Sequence, residues 1–491
     1  MLNTAVIFYL GSRGVSAAGN LLAVAIFTRL AGPAEYGHYV LIFAWSMIVY
    51  GFGSQWMRFA YFGVYQSHRF DEYVASLAQL LGAAVVLLAV GFLGLALSGW
   101  IDPMFLGAVF ALISGMTIYE AAFEVMRTRL NARAAALSMI LRTCLVVALG
   151  SLSLWLGGSA TGLACAIAVA NLVAAIPCLK AFAGIRLWQG SRHAMSRILI
   201  YGWPLMLSFG VMAVGQTIDR LLLAHYAGPT TLGPYGAIAD FLRQGFAVVG
   251  EAITLSYVTS AKQYHNDANP HGCVQALKTA FNACLATSIF GAAFFLVFGD
   301  LLVRILLGPQ FHAQASDLIG VLAVTFAFMT MRNFYFAQVI YFTHASHLEL
   351  VVAIIFVTVS SALAVLLVPR YGPFGAAVSL MIAFAVTLAV FIIVGRWYFS
   401  MPVDLAGLVE IPLLAVLCVF GSRMLEHVAG FGAGVVVAEL ALFCLVGAVV
   451  LYRFRLLRAT GEPSAPVPVL ESARPAEAPL RARSGIVSRT I

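Results

Sequence analysis

The chain has 491 residues, 62% of them hydrophobic and 10% charged, with a mean hydropathy of +0.96 and a formal net charge of +8. Soluble domains carry about 25% charged residues, so a soluble enzyme or a soluble binding module is excluded. Apolar runs of about 20 residues recur along the chain, each long enough to cross the hydrocarbon core as a helix. The fold class they predict is an all-α integral membrane protein.

The runs predict fourteen transmembrane helices, at 4–28, 37–61, 74–98, 104–126, 134–156, 160–182, 198–225, 236–260, 273–298, 317–342, 349–368, 373–395, 404–422 and 431–452. The start, Met1-Leu2-Asn3-Thr4, has no basic n-region, and Arg13 interrupts the first run. The first helix is therefore expected to be retained and not cleaved as a signal peptide. After Arg458 the chain turns to Pro, Ala, Ser, Glu and Arg without an apolar stripe. Residues 459–491 are expected to be a disordered tail that buries too little surface to offset its ordering entropy.

One pattern occurs twice. Ala31-Gly32-Pro33 is followed by Gly37 and Tyr39; Ala227-Gly228-Pro229 is followed by Gly233 and Tyr235, at a constant offset of 228 − 32 = 196 residues. The register also pairs Gly14 with Gly210, Val15 with Val211, Ala17 with Ala213, Gly19 with Gly215 and Ile42 with Ile238. The offset spans six helices, so both copies enter the membrane in the same direction. They predict two pseudo-symmetric six-helix lobes related by an axis along the membrane normal, with a path between them. The expected divisions are an N-terminal lobe at 1–190, a C-terminal lobe at 191–396, two extra helices at 397–458 and the tail. The matched Gly-Pro stretches fall where a turn is needed after the first helix of each half.

Basic residues divide unevenly between the two sides. With the N-terminus inside, the inner loops gather Arg58, Arg127, Arg133, Lys180, Arg197, Lys262 and Arg396 among others, and the outer loops hold Arg29, Arg304, Arg370 and Arg423. The positive-inside rule then places both termini in the cytoplasm, and this bias accounts for the net charge without any nucleic-acid partner. The seven cysteines form no CxxC or Cys/His metal spacing and read as small apolar residues.

No lysine follows a glycine, so there is no phosphate loop, and neither HExxH nor GxSxG occurs. The expectation is a protein that is not an enzyme and holds no metal. The groups left to carry chemistry are ionisable residues inside apolar spans, which are costly there and functional by default. They are Arg13, Arg142, Asp219, Arg220, Asp240, Arg243, Glu251 and Arg332. On the eighth helix Asp240, Gln244, Ala247 and Glu251 form one stripe, with Arg243 placed to pair with Asp240 at i, i+3. Glu120, Glu124 and Arg127 align on the fourth helix, near its inner end, where side chains can snorkel. The first half has Ala23, Val24, Ala44, Met47 and Gln55 where the second has charges at 219, 220, 240, 243 and 251, so the chemistry is expected mainly in the second lobe.

Thr28-Arg29-Leu30-Ala31-Gly32-Pro33-Ala34-Glu35-Tyr36-Gly37-His38-Tyr39, with its second copy from Ile218-Asp219-Arg220 to Tyr235, resembles the bacterial Wzx-type polysaccharide flippases. These belong to the multidrug/oligosaccharidyl-lipid/polysaccharide (MOP) exporter superfamily. The resemblance covers about residues 1–452 and implies alternating access by a V-shaped pair of lobes in the bacterial inner membrane. It implies as substrate an undecaprenyl-pyrophosphate-linked oligosaccharide, with H+ or Na+ as coupling ion and no bound cofactor. The polysaccharide polymerase and chain-length machinery are the implied partners. A MATE-like exporter or a lipid II flippase would share the fold. A polymerase or ligase would need a large outer loop, which the sequence lacks. Under this resemblance Arg13, Arg142, Arg220, Arg243 and Arg332 are the expected cationic cleft for the head group, and Asp219, Asp240 and Glu251 the expected ion-coupling acids.

Overall fold

The computed structural model describes residues 4–454 and Leu456, apart from residues 130, 344, 345 and 431. The tail expected at 459–491 lies outside the described residues. All regular structure among the described residues is helical. In chain order the first lobe holds α1 (Thr4–Leu30), α2 (Pro33–Tyr50), α3 (Trp56–Val64), α4 (Phe70–Ser98), α5 (Pro103–Thr128), α6 (Ala132–Trp155) and α7 (Ala160–Leu179). The second holds α8 (Arg192–Ala227), α9 (Pro229–Ile253), α10 (Thr259–Asn266), α11 (Pro270–Leu306), α12 (His312–Phe334) and α13 (Ser346–Gly395). Two further helices, α14 (Leu405–Ala429) and α15 (Ala433–Arg453), follow and pack on α11.

Eleven helices among the described residues are long and apolar enough to span a membrane. The fourteen crossings of the sequence reading are reached only by adding α1 and α9, which carry the inner charges, and by counting α13 twice. α13 breaks at Gly372, where φ is 54° and ψ is −132°, between Pro369 and Pro373.

The repeat is visible in the helices themselves. In each lobe the second helix passes through a π-helical turn, Gly51–Gln55 between α2 and α3 and Thr254–Val258 between α9 and α10. Such turns bend a helix without ending it, so both rods run on past the ends expected from hydropathy. The Gly-Pro stretches lie at the turns expected after the first helix of each half, and they also start the next helix. Gly32 and Gly228 are N-caps, and Pro33 and Pro229 are first helical residues, where a missing N–H costs nothing and a fixed φ suits the helix. The helices therefore start several residues earlier than hydropathy suggests.

The two lobes meet where α2 crosses α9 and along α8, which packs on α2 and α3, and the repeated residues make the α2–α9 crossing. A Cβ added to Gly37 would lie 1.8 Å from the carbonyl oxygen of Pro229, and one added to Gly233 would lie 2.1 Å from that of Pro33. Each lobe's glycine thus receives the other lobe's proline carbonyl. Around this crossing the end of α1 meets the turn between α11 and α12. The Gly308 amide donates to Thr28 Oγ1 at 3.2 Å, the Arg29 guanidinium donates to the Ile305 carbonyl, and the Tyr36 ring stands edge-on to Phe311 at 5.8 Å. This end of the molecule is sealed. One apolar core, from Phe27 and Val40 through Leu232 and Ile238 to Phe311, runs through both lobes here. Toward the opposite end it gives way to two cores, one around Tyr61 and Tyr73 that joins the first lobe to Ala194 and Ile198 of α8, and one around Phe281 and Tyr335 in the second lobe.

Gly37→Ala and Gly233→Ala should each destabilise the protein by about 1–3 kcal/mol or more, the cost of overpacking a tight contact. Gly91→Ala, on α4 with nothing within 4 Å of its added Cβ, should be neutral or slightly stabilising. Thermal unfolding in detergent measures the difference; equal melting temperatures for all three variants would contradict the crossing.

Candidate functional site

Away from the sealed end a cavity of about 500 Å³ opens between the lobes. The first lobe supplies Arg13, about 25 Å along α1 from its sealed end at 1.5 Å per residue. The second supplies Glu251, the π-turn with Thr254, Leu255 and Val258, then Thr259, Lys262 and Gln263 of α10, Asn333 and Phe334 at the end of α12, and Gln338 and Tyr341 just after it. Arg13 Nη1 bridges to Glu251 Oε2 at 2.7 Å, with both side chains about half exposed (54% and 51%). Two cations, one carboxylate, three amides and three hydroxyls thus line a cavity whose remaining wall is apolar. Amides and hydroxyls match sugar hydroxyls, and cations match phosphate oxygens.

The eight charged residues expected at the site are not gathered into one cleft. Arg13 and Glu251 line the cavity. Asp219, Arg220, Asp240 and Arg243 form a separate cluster between α8 and α9, about 16 Å from the sealed end of α9 for Asp240. Arg142 lies inside the first lobe. Arg332 lies beside the cavity but points to α13, where it meets Glu349 at 3.4 Å and stacks near Phe356 and Phe391. All five arginines have a carboxylate partner in this conformation.

The α8–α9 cluster is closely packed. Arg220, 4% exposed in its side chain, reaches both oxygens of Asp240 at 3.2 and 2.6 Å. Arg243 adds a 2.7 Å contact to Asp240 Oδ1, the i, i+3 pair expected from the helix stripe. Asp219 accepts from the Tyr235 hydroxyl, and its other oxygen is buried without a partner. Tyr235 is the repeat partner of Tyr39, but Asp219 matches Ala23, so Tyr39 has no acid in its own lobe to bind. It comes instead within electrostatic reach of Asp240 and Arg220 across the lobe boundary.

The first lobe has its own triad at positions the repeat does not match. Glu120 of α5 takes the Arg58 guanidinium and lies 3.7 Å from Arg142, which also stacks over Tyr119 at 4.7 Å. Glu124, buried, pairs with Arg127 at 2.6 Å. The first lobe thus carries its own partly buried ion pairs, while the lining of the cavity comes mainly from the second lobe. Sequence reasoning placed Arg58 and Lys262 in inner loops because hydropathy gives no sign of a π-turn carrying the helix onward. Glu349 was missed because it sits at the very start of an apolar run. Of the seven cysteines, Cys144, Cys165 and Cys444 face outward and the other four are buried. No group of His, Cys, Asp and Glu suited to a metal occurs among the described residues.

No family model matches the chain, and no curated protein matches it by sequence. Solved structures do. A lipid II flippase, MurJ, in an inward closed conformation superposes with a TM-score of 0.75 over 92% of this chain and 100% of its own, at 11% identity. An inward-facing multidrug-resistance MATE transporter of the MOP superfamily gives 0.61 over 78% of this chain and 94% of its own, at 15% identity. A MOP-superfamily transporter from Pyrococcus furiosus gives 0.53 over 80% and 93%, also at 15% identity. The fold is that of the MOP-superfamily transporters. At these identities the likeness shows the fold alone, and neither a role nor a substrate.

Removing Asp240 with Asp240→Ala strands the buried guanidinium of Arg220 and unpairs the partly exposed Arg243, and should cost about 3–5 kcal/mol. Glu251→Ala breaks a half-exposed pair and should cost less than about 1 kcal/mol. Denaturation midpoints of the purified variants check this ranking; a smaller loss for the Asp240 variant would contradict the cluster's structural role.

Proposed function

We propose that this chain is a secondary transporter that flips a polyprenyl-pyrophosphate-linked oligosaccharide across the bacterial inner membrane by alternating access, for assembly of a surface polysaccharide. The observation that carries the reading is the lining of the inter-lobe cavity. A pyrophosphate and its sugars cannot enter hydrocarbon unaided, because desolvating charge and hydroxyls costs many kcal/mol. Arg13 and Lys262 supply positive charge for the phosphates, and Gln263, Asn333, Gln338, Thr254 and Thr259 supply hydrogen bonds for sugars. The prenyl chain stays in lipid. A cavity with two cations and one acid already engaged does not favour a cationic drug, which weighs against a MATE-like exporter.

The positive-inside bias supports cytoplasmic termini, which puts the cavity on the cytoplasmic side and the seal on the far side. Binding from the cytoplasm then precedes opening of the α2–α9 crossing. Asp240 is saturated by two arginines, so Asp219, with one free buried oxygen, and Glu251 are the acids left to take a coupling H+ or Na+. A second reading, a lipid II flippase, is favoured by the superposition on MurJ and shares every element of this scheme except the glycan.

The Arg13→Ala/Lys262→Ala double variant should lower flipping of a fluorescent lipid-linked oligosaccharide in proteoliposomes at least about tenfold. Each lost charge-assisted hydrogen bond is worth about 1.5–3 kcal/mol, and 1.4 kcal/mol is a factor of ten. Full-rate flipping by correctly inserted double variant would overturn the cavity assignment. In cells depleted of the protein, undecaprenyl-linked oligosaccharide should accumulate; accumulation of lipid II alone would move the substrate to the second reading.

A further inference from the structure

A second cavity, of about 290 Å³, lies at the end of α13, outside the space between the lobes. Its walls are the rings of Phe336, Phe391 and Phe399, and its polar groups are Arg396 and Ser400. That volume is near the lower end of ligand-sized pockets, about 300–1,000 Å³.

The segment that closes it is fixed at three points. The Tyr335 hydroxyl donates to the Pro402 carbonyl. Asp404 accepts from Asn282 at 2.7 Å and caps α14 by accepting the Ala406 amide at 3.2 Å. Phe399 stacks on Phe342 at 4.9 Å and 15°, with His265 edge-on to both rings. The cavity is therefore preformed. Its depth is set by sequence: a spanning helix ends in Arg396-Trp397-Tyr398, with Trp397 78% exposed, which is the pattern of residues that sit at headgroup level. Arg396 makes no hydrogen bond, ion pair or ring contact with any other described residue, unlike the five arginines of the candidate site.

We propose that this cavity binds the phosphate headgroup of an anionic phospholipid. The Arg396 fork takes the phosphate oxygens, the Ser400 hydroxyl donates to the same group, and the three rings hold the first acyl carbons. The site also shares a wall with the inter-lobe cavity. In the 3₁₀ segment Phe336–Tyr341, Phe336 faces the lipid cavity while Gln338 and Tyr341 face the other. A lipid seated here braces the wall of the transport cavity. The proposal stands whatever glycan is carried, because no residue of the site is assigned to substrate.

Native mass spectrometry of the full-length protein, after exchange into phosphatidylglycerol or phosphatidylcholine, tests it directly. The wild type should retain phosphatidylglycerol, and Arg396→Gln should retain it about fivefold more weakly, the factor one arginine near an anionic surface is worth. Arg396→Lys should fall between, since it keeps the charge but loses the bidentate fork. Inorganic phosphate should not displace the lipid; displacement at millimolar levels would make the site one for a free anion. Equal retention of the two lipids by the wild type would overturn the proposal, as would equal retention of phosphatidylglycerol by wild type and Arg396→Gln. Should the glutamine variant fail to insert, Ser400→Ala carries the same comparison.

Discussion

The close approach of α2 and α9 is the constraint on which the rest of the structure depends. Two helices of ordinary side chains sit about 8–10 Å apart. Here Gly37 and Gly233 remove the Cβ atoms that would hold the backbones off, and the carbonyls of Pro229 and Pro33 fill the space. Because the contact is made by matched residues of two copies, it is reciprocal, and the pseudo-symmetry axis passes through it. Closing this end tightly leaves the two rods to diverge beyond it. The second lobe's π-turn then lines the cavity with Thr254, Leu255 and Val258, so the seal and the cavity are built on the same duplicated helix pair.

Charge is distributed accordingly. Nearer the seal, Asp240 is held by two arginines, and the buried Asp219 by a tyrosine hydroxyl on the neighbouring helix. A buried ion without partners would cost several kcal/mol, so each charge that deep must find one. Farther along, where the lobes part, the Arg13–Glu251 bridge is half exposed and weak, which lets an incoming anion compete for Arg13. The gradient from saturated to loosely held charge follows the widening of the gap between the lobes.

Much of this was legible in the chain. The repeat at an offset of 196 residues pointed to two lobes, and the residues it matched, Gly37 with Gly233 and Pro33 with Pro229, proved to be where the lobes touch. The pairing of Arg243 with Asp240 followed from helical spacing alone. What could not be read was long-range partnering: Arg58 with Glu120, Arg332 with Glu349 and Arg13 with Glu251 join residues far apart in sequence, and nothing in a single chain records which helix faces which. Hydropathy also could not register the π-turns, which break hydrogen-bond register but not apolar pattern. A grouping of arginines by residue type therefore merged four places that the fold keeps apart.

The claim that the crossing must part during transport is tested most directly by tying it shut. A Cβ on Gly236 would lie 3.5 Å from that of its repeat partner Val40, within the 3.5–4.5 Å that a disulfide requires. In a background with the seven native cysteines replaced, oxidised Val40→Cys/Gly236→Cys should bind the lipid-linked substrate but fail to flip it, and reduction should restore flipping. Full-rate flipping by protein shown to carry the cross-link would contradict the account.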